Sequence, residues 1–438
     1  MSAATPNRWR IPVGAVLVHI CIGSVYAWST FNRPIQQLLP GQPWWFSPPY
    51  TTFTTALALL GLSAAFGGPW VERRGPRVAA TAAAVFFGAG LLIGGTGLAV
   101  AQPVLVFLGM GVISGIGCGL GYISPVSTLV KWFPDRRGMA TGMAIMGFGG
   151  GAFIAGYLNV FLMNAVGVAA TVIVLGAVYL AVMMLGSRLL QPPPAGWAPE
   201  GWVPPAATSA MIATTSVTRD EAIRTPQFFL LWGMLCINVT AGIGILERAA
   251  PIWTDFFGAG AAVAAVTAAA AGYVALLSLA NMLGRIGWST TSDYLGRKNM
   301  YRGYLGVGAL LYLTITLTTN SNPVIFLICS MLILSFYGGG FATVPAYLRD
   351  LFGTYQVGAI HGRLLTAWSV AGVLGPLIVN AIADAQIAAK VSGPARYTTS
   401  FTIMIGLLVI GFICNELIKP VADKFHEARS TATTGAQA

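Results

Sequence analysis

The sequence predicts an all-α membrane protein with twelve transmembrane helices that form two six-helix halves. Composition is the first of three observations: of 438 residues, 56% are hydrophobic and 8% are charged, and the mean hydropathy is +0.74. Such a chain is not an ordinary soluble domain. The second observation is that apolar segments of about 20 residues, the length that crosses a bilayer, recur throughout. The third is an internal repeat.

The apolar spans follow one another at short intervals along the chain. Their predicted bounds are 11–38, 50–71, 78–100, 103–130, 138–163, 166–190, 226–248, 261–291, 301–320, 323–351, 358–385 and 397–418. The first span is longer than the core of a cleavable signal peptide, so we expect it to remain in the membrane. All five cysteines lie inside spans without metal or redox spacing, and we expect them to be small buried side chains.

Basic residues concentrate in alternate loops, which predicts the orientation of the chain. One set of loops and the two termini carry most of the 24 Lys and Arg residues: Arg8, Arg10, Arg73, Arg74, Arg77, Lys131, Arg136, Arg137, Arg188, Arg219, Arg224, Arg297, Lys298, Arg302, Arg349, Arg363, Lys419, Lys424 and Arg429. Cytoplasmic loops are enriched in these residues. We therefore expect a plasma (bacterial inner) membrane protein with both termini in the cytoplasm. The net charge of +11 then requires no nucleic-acid partner.

A linker rich in Pro, Ser and Thr interrupts the succession of spans at residues 191–225. This composition is typical of an extended connection rather than of a packed element. We interpret it as a cytoplasmic central loop whose last residues, Arg219 to Arg224, form a short amphipathic surface helix. It separates a bundle at 1–190 from a second bundle at 226–420, which is followed by a cytoplasmic tail at 421–438.

The two halves repeat the same spacings. Glu72, Gly75 and Arg77 after span 2 match Asp293, Gly296 and Lys298 after span 8. Pro125, Gly138 and Gly142 match Pro345, Gly358 and Gly362. In this register Arg285 corresponds to Ala64. Repeated halves with a long central loop are typical of alternating-access transporters, whose binding site lies at the midplane between the halves.

Arg285 is the basic residue that the sequence places deepest in the membrane. It precedes Asp293, at the exit of span 8, by eight residues, or about 12 Å of helix. Burying an arginine at this depth costs roughly 2.5–3.5 kcal/mol on the lenient insertion scale, so it should face protein or an aqueous path. With Asn281 one helical turn away, we interpret Arg285 as an anion-binding residue. The alternative is an arginine that binds backbone carbonyls and locks two helices together.

Aromatic residues at mid-depth complete the candidate binding site. Tyr122 in span 4 and Tyr337 and Phe341 in span 10 lie near glycines, and Trp28 lies in span 1. They would supply a hydroxyl group and apolar walls for a short alkyl chain. The alternative for each is ordinary packing between helices.

Protons are the expected coupling ion, and no other cofactor is expected. The sequence places no Asp or Glu deep in the membrane, so His19 in span 1 is the candidate proton carrier. A histidine that is hydrogen-bonded for packing is the alternative. Glu247 or Asp255, at the outer mouth, could accept the proton instead.

The segment Lys131-Trp-Phe-Pro-Asp-Arg-Arg-Gly-Met-Ala-Thr-Gly142 resembles the major facilitator superfamily, in the branch that joins oxalate:formate antiporters with proton-linked monocarboxylate transporters. Gly23-Ser-Val-Tyr-Ala-Trp28 and Arg224-Thr-Pro-Gln-Phe-Phe-Leu-Leu-Trp232 support the resemblance. The loop from Gly68 to Arg77 is similar to the superfamily's signature loop, although its second copy has Ser289 in place of the leading glycine. The resemblance implies a gating role for Glu72, Arg73, Arg77, Asp135, Arg136, Asp293 and Arg297.

By this resemblance, Arg285 is the substrate-binding arginine. Asn281 replaces an aspartate that is implicated in proton coupling in animal relatives. Trp368 stands where oxalate antiporters have a lysine. A single fixed positive charge favours a singly charged anion. The helix 1 lysine of animal relatives aligns with Thr30, and Arg33 either takes its place or anchors the outer interface.

The sequence thus predicts a carrier, not an enzyme, since it contains no soluble module, Walker loop, Ser/His/Asp set or metal cluster. The leading hypothesis is a proton-coupled symporter of lactate- or pyruvate-like monocarboxylates that works as a monomer. The first alternative is an anion exchanger of the oxalate:formate type. A membrane sensor is a more remote one.

Overall fold

The computed structural model describes residues 7–41, 48–194, 196–202, 211–213, 215–260, 262–318 and 322–426, which are largely helical and include no β-strand. We number its twelve long helices in chain order. Helix 1 comprises Arg10–Gly23, a 3-10 turn at Ser24–Ala27 and Ser29–Leu38; helix 2 is Pro48–Arg74; helix 3 is Pro76–Ala99; helix 4 is Pro103–Val106, a π-helical stretch at Phe107–Ile113 and Ser114–Trp132; helix 5 is Arg137–Val166; helix 6 is Val168–Leu189.

The second half has the same number of long helices. Helix 7 is Pro226–Glu247; helix 8 is Val263–Leu295; helix 9 is Arg297–Arg302, a π-helical stretch at Gly303–Val307 and Gly308–Leu317; helix 10 is Pro323–Phe352; helix 11 is Val357–Leu364 and Thr366–Ala388; helix 12 is Thr398–Leu417. Within the described residues, eleven helical spans are long and apolar enough to cross a membrane. Helix 9, the remaining long helix, begins with Arg297, Lys298 and Arg302. The predicted twelve-helix fold is confirmed.

Helix 1 differs from the continuous span that the sequence predicts. It changes to a 3-10 turn at Ser24, whose hydroxyl donates to the carbonyl of Cys21 (2.7 Å). Such bonds back to the preceding turn compete with the helical ladder and bend helices. Helix 11 is likewise interrupted, at Leu365, and a further short helix, Ala249–Phe257, follows helix 7.

Single glycines form the tight connections at matching points of the two halves. Gly75 joins helices 2 and 3 with φ +84°, and Gly296 joins helices 8 and 9 with φ +81°. This left-handed backbone favours glycine because it has no Cβ. The spacing on which the predicted repeat rests therefore has a structural cause.

Helices 5 and 8 pack together across the two halves, and so do helices 2 and 11. A Cβ on Gly142 of helix 5 would lie 2.7 Å from the Arg285 carbonyl oxygen, and one on Gly362 of helix 11 would collide with the carbonyl of Ala64. The register that the sequence predicts, with Arg285 equivalent to Ala64, is therefore the one observed. Small residues allow this close approach of helix backbones.

We call the end of the bundle that carries Gly75, residues 133–136, Gly296 and residues 353–356 the basic end. The first and last described residues of the chain lie there. Arg8 pairs with Asp135 (2.8 Å), and His426 forms a β-bridge with Val217 of the central loop. Arg8 and His426 on the same side agree with an even number of spans between them.

Candidate functional site

Arg285 is fully buried between the two halves. It lies ten residues before the end of helix 8, about 15 Å from the basic end. Its Nε donates to Asn281 Oδ1 (3.0 Å) and its Nη1 donates to the Ile145 carbonyl of helix 5 (3.3 Å). Nη2 is buried and has no hydrogen-bond partner among the described residues. The contact with Ile145 is of the helix-locking kind, but one nitrogen of the guanidinium remains available to a ligand.

Aromatic rings enclose this guanidinium. Its central carbon lies 5.7 Å from the centre of the Phe148 ring and 5.5 Å from that of Phe341, within cation–π range. Tyr122 lies 5.6 Å from Phe341, and Trp368 lies 4.9 Å from Phe341 and 5.4 Å from Phe148. We call Tyr122, Phe148, Phe341 and Trp368 the aromatic cluster. The structure thus brings the predicted Tyr122 and Phe341 to Arg285.

Tyr26 and Tyr337 join helices 1 and 10 on the side of the cluster away from the basic end. Their hydroxyl groups are 3.0 Å apart, and the Tyr26 ring lies 5.0 Å from Phe148. Tyr337 was a predicted site residue, whereas Tyr26 was not singled out from its neighbours in the Gly23 to Trp28 motif. The pair bridges the halves and covers the cluster from this side.

The Asn281 side chain forms its hydrogen bonds with other groups of the protein, one of which is Arg285. Its Oδ1 accepts from Arg285, while its Nδ2 donates to the Leu334 carbonyl of helix 10 (3.3 Å). The side chain therefore fixes the direction of the guanidinium. The Tyr122 hydroxyl, by contrast, is buried without a partner among the described residues and is the better donor for a substrate oxygen.

Trp28 lies away from Arg285. Its ring stacks 6.2 Å from Phe53 of helix 2 and lies 6.3 Å from Phe31. It lines a separate cavity inside the first half, with Phe87 and Met110. These surroundings match the interpretation of Trp28 as a residue that packs between helices.

Thr30, which aligns with the helix 1 lysine of animal relatives, makes its described hydrogen bonds within the first half and not with Arg285. Thr30 donates to the Ala27 carbonyl (2.8 Å) and accepts from Asn159 (3.0 Å). The side chain of Arg33 lies outside the described part of the structure.

The three predicted proton carriers have different surroundings. His19 is buried, with Nδ1 2.8 Å from the Ala144 carbonyl and Nε2 3.3 Å from the Tyr122 carbonyl, so it connects helices 1, 4 and 5. Asp255, near the opposite end, accepts from Arg396 (2.6 Å) and Tyr397 (2.7 Å). The side chain of Glu247 lies outside the described part.

Ion pairs and helix caps close the basic end between the two halves. Asp350 of helix 10 pairs with Arg137 of helix 5 and with Arg297 (3.1 Å). Asp293 pairs with Arg297 (2.7 Å) and accepts from the backbone N–H groups of Gly138 and Met139 (2.9 Å each) at the start of helix 5. A carboxylate at a helix N-terminus is stabilised by the unpaired N–H groups and the helix dipole.

The first half contributes the equivalent cap. Glu72 pairs with Lys131 (2.5 Å) and accepts from the N–H of Gly358 at the start of helix 11 (3.1 Å). Gly138 and Gly358 are equivalent in the predicted repeat, so the same cap occurs twice. We call these contacts, together with the Asp293 and Asp350 pairs, the basic-end network.

Four of the predicted gating residues lie outside this network. Arg73 donates to the Pro69 carbonyl (3.3 Å), Arg77 donates to the Arg188 carbonyl (2.7 Å), and Asp135 pairs with Arg8. Arg136 is exposed just before helix 5. Its neighbour Arg137 makes the contact between the halves, which the sequence alone did not distinguish.

His361 of helix 11 is a second buried membrane histidine that sequence reasoning missed. It is 1% exposed, and its ring lies 5.9 Å from that of Tyr122. Its position between Gly358 and Gly362, the repeat glycines that mark close helix packing, was the available signal.

The sequence profile of the Major Facilitator Superfamily matches residues 16–376 and 273–435. The oxalate:formate antiporter of Oxalobacter formigenes is 26% identical over 380 residues, 86% of this chain and 85% of that protein. Apicoplast pyruvate carrier 1 of Toxoplasma gondii is 22% identical and covers 94% of this chain and 89% of its own. The crystal structure of the transporter FucP in the outward conformation superposes with a TM-score of 0.66 at 12% identity, over 92% of this chain and 98% of that one. The chain belongs to the Major Facilitator Superfamily and is an integral membrane transporter.

Proposed function

We propose that this member of the superfamily is a secondary active transporter of small monocarboxylates, such as L-lactate and pyruvate, and that Arg285 binds the substrate carboxylate. It would lie in the plasma (bacterial inner) membrane with the basic end and both termini in the cytoplasm, as the distribution of basic residues indicates. The two halves would rock about the site to expose it alternately to each side.

The unpaired Nη2 of Arg285 is the observation that carries the proposal. A guanidinium presents its N–H groups in a planar fork that matches a carboxylate. Here the protein occupies Nε and Nη1 and leaves Nη2, so an anion that approaches from this side finds a directed donor. The described contacts of the guanidinium otherwise come from an amide, a carbonyl and two rings, none of which neutralises its charge.

The surroundings favour a small, singly charged substrate. Phe148, Phe341 and Trp368 provide apolar walls for a short alkyl group, and the Tyr122 hydroxyl is a donor for a second oxygen. Trp368 stands where the resemblance to oxalate antiporters would place a second cation. The names of the two relatives, which specify oxalate, formate and pyruvate, support a small carboxylate.

Proton symport requires that the carrier can return without substrate, and the contacts of Arg285 support such a step. Asn281 Oδ1, the Ile145 carbonyl and the faces of two rings stabilise the cation inside the protein. A buried cation without such partners would oppose closure of the site. Protons are the coupling ion in this proposal, and one chain contains all the contacts used, so a monomer suffices.

Anion exchange is the second candidate. Among the described residues the one buried carboxylate is Asp350, which is paired in the basic-end network rather than placed beside Arg285 to carry a proton. The oxalate:formate antiporter is a relative over most of the chain. In an exchanger the substrate-free carrier would not reorient across the membrane. Each anion would therefore cross only in exchange for an anion that moves in the opposite direction.

Uptake of labelled L-lactate into proteoliposomes distinguishes the two candidates. We expect accumulation when an inward proton gradient is imposed on vesicles that contain no lactate. Uptake that requires vesicles preloaded with unlabelled monocarboxylate, and that a proton gradient does not drive, would contradict symport and establish exchange.

A further inference from the structure

We propose that His361 is the group through which the transported proton is released to the cytoplasm, an inference that rests on the proposed proton symport. The residue lies at the start of the second turn of helix 11, four residues after Val357, about 6 Å from the basic end. Arg285 lies about 15 Å from that end. His361 therefore stands between the substrate site and the cytoplasm.

The two buried membrane histidines have opposite surroundings. Both ring nitrogens of His19 face backbone carbonyls, whereas neither ring nitrogen of His361 has a hydrogen-bond partner among the described residues. Leaving a buried polar group unpaired destabilises the folded state. His361 therefore lowers the stability of the folded protein, which a residue retained only for packing would not need to do.

The closed basic end requires a neutral His361 ring. An ionised imidazole buried without a partner is far more costly than a neutral one. Helix 11 packs on helix 2 through Gly362 and on helix 4 near Tyr122. Separation of the halves at this end would part helices 2 and 11, admit water, and allow the ring to bind a proton.

Neighbouring charged groups do not change the requirement for a neutral His361 ring in the closed state. The described titratable groups near the basic end on the elements packed against this part of helix 11 are Glu72, Arg73, Arg74, Tyr122, Lys131, Arg219, Asp220, Glu221, Tyr347, Arg349 and Asp350. Tyr122 is the one of these whose ring contacts His361. The four carboxylates in this set, Glu72, Asp220, Glu221 and Asp350, are each already paired with a cation.

These properties would order the transport cycle. As the basic end opens, the proton that entered with the anion moves to a His361 ring nitrogen and then to cytoplasmic water. The basic end recloses only when the ring is neutral again. The substrate-free return step therefore waits for proton release, which is what coupling requires.

His361→Gln tests this role in proteoliposomes. The glutamine is polar and close in size but cannot take up a proton. We expect lactate accumulation driven by an inward proton gradient to fall at least tenfold. Counterflow of labelled against unlabelled lactate at equal pH, which needs no net proton release, should fall less than threefold. His426→Gln, in the cytoplasmic tail, is the matched control and should preserve both activities.

The remaining outcomes of this experiment distinguish failure of the His361 proposal from failure of the proposed symport. Unchanged gradient-driven accumulation in His361→Gln, or equal loss of both activities in a variant that elutes as a folded monomer, would overturn the proposal. A wild-type protein that shows counterflow but no gradient-driven uptake would instead overturn the proposed symport. If the variant fails to fold, the wild type still provides a test. Acidifying the vesicle lumen from pH 7.5 to 5.5 at a constant gradient should slow both net uptake and counterflow, because each requires the basic end to reclose with a neutral ring, and an unchanged rate of either would contradict the role of His361.

Discussion

Arg285 illustrates how one buried charge organises its surroundings. Asn281 and the Ile145 carbonyl hold two of its nitrogens, and rings cover its guanidinium, so the cation is tolerated in the membrane although its described contacts include no acidic side chain. In the proposed function, selectivity for an anion depends on this absence of an acidic partner.

Asn281→Asp should supply the counter-charge from within the protein. A carboxylate 3.0 Å from Arg285 Nε would neutralise the guanidinium and compete with the substrate. We expect the KM for lactate to rise at least tenfold at pH 7.5 and to recover partly in acid, as the new carboxyl group is protonated. The pH profile of counterflow measures both effects. Asn299→Asp, on the exposed surface of helix 9, is the matched control, and an unchanged KM in Asn281→Asp would contradict the role given to Asn281.

Residue-level prediction from sequence succeeded where depth and charge decide the outcome. An arginine eight residues inside a membrane helix must have a special environment, and Arg285 has one. The sequence could not decide between Arg136 and Arg137, because one residue changes the direction of a side chain by about 100° around a helix. It also could not show that His19 has hydrogen-bond partners and that His361 has none among the described residues, since such partners depend on how the helices pack.

At the scale of helices, the halves meet through two equivalent contacts. Asp293 caps helix 5 and Glu72 caps helix 11, with Gly138 and Gly358 as the equivalent donors. The spacing of Pro and Gly predicted this equivalence because close helix packing tolerates only small residues at the crossing points. The broken helix 1 was not predictable from hydropathy, since Ser24 and its neighbours read as one continuous apolar span.

Asp293→Asn should loosen the basic end. The change removes the ion pair with Arg297 and the charge that favours the N-terminus of helix 5, at a cost of about 1–3 kcal/mol. Thr141 is fully buried and donates to the Ala342 carbonyl across the halves, so a cysteine placed there reports opening. We expect maleimide to label Thr141→Cys at least five times faster in the presence of Asp293→Asn.

The control for this measurement is Glu416→Gln, which breaks a surface pair with Arg302 within the second half. The native cysteines are buried, apart from the half-buried Cys414, which would be replaced by alanine throughout. Equal labelling rates with Asp293→Asn and Glu416→Gln would show that the basic-end network does not hold this end closed.

At the scale of the whole molecule, contacts on both sides of the site keep it enclosed. The basic-end network closes one side, and the Tyr26–Tyr337 pair with the aromatic cluster covers the other. In the proposed alternating access, such an enclosure is the intermediate in which a substrate is shielded from both compartments. The fold that creates it followed from the sequence because apolar spans of about 20 residues have the length of membrane helices, in which each segment satisfies its own backbone hydrogen bonds. Which aromatic residues gather at the centre depends on tertiary packing, as the separate positions of Trp28 and Trp368 show.

In the proposed function, Arg285 binds the transported anion. Counterflow of labelled L-lactate in proteoliposomes tests this role most directly, because counterflow requires substrate binding and reorientation of the carrier but no proton gradient. We expect Arg285→Gln to reduce the initial rate at least tenfold, because glutamine has no charge and fewer donors. Arg302→Gln, which removes a surface arginine, should keep the wild-type rate. A wild-type rate in folded Arg285→Gln would contradict the account, and Arg285 would then be a structural link between helices 5 and 8.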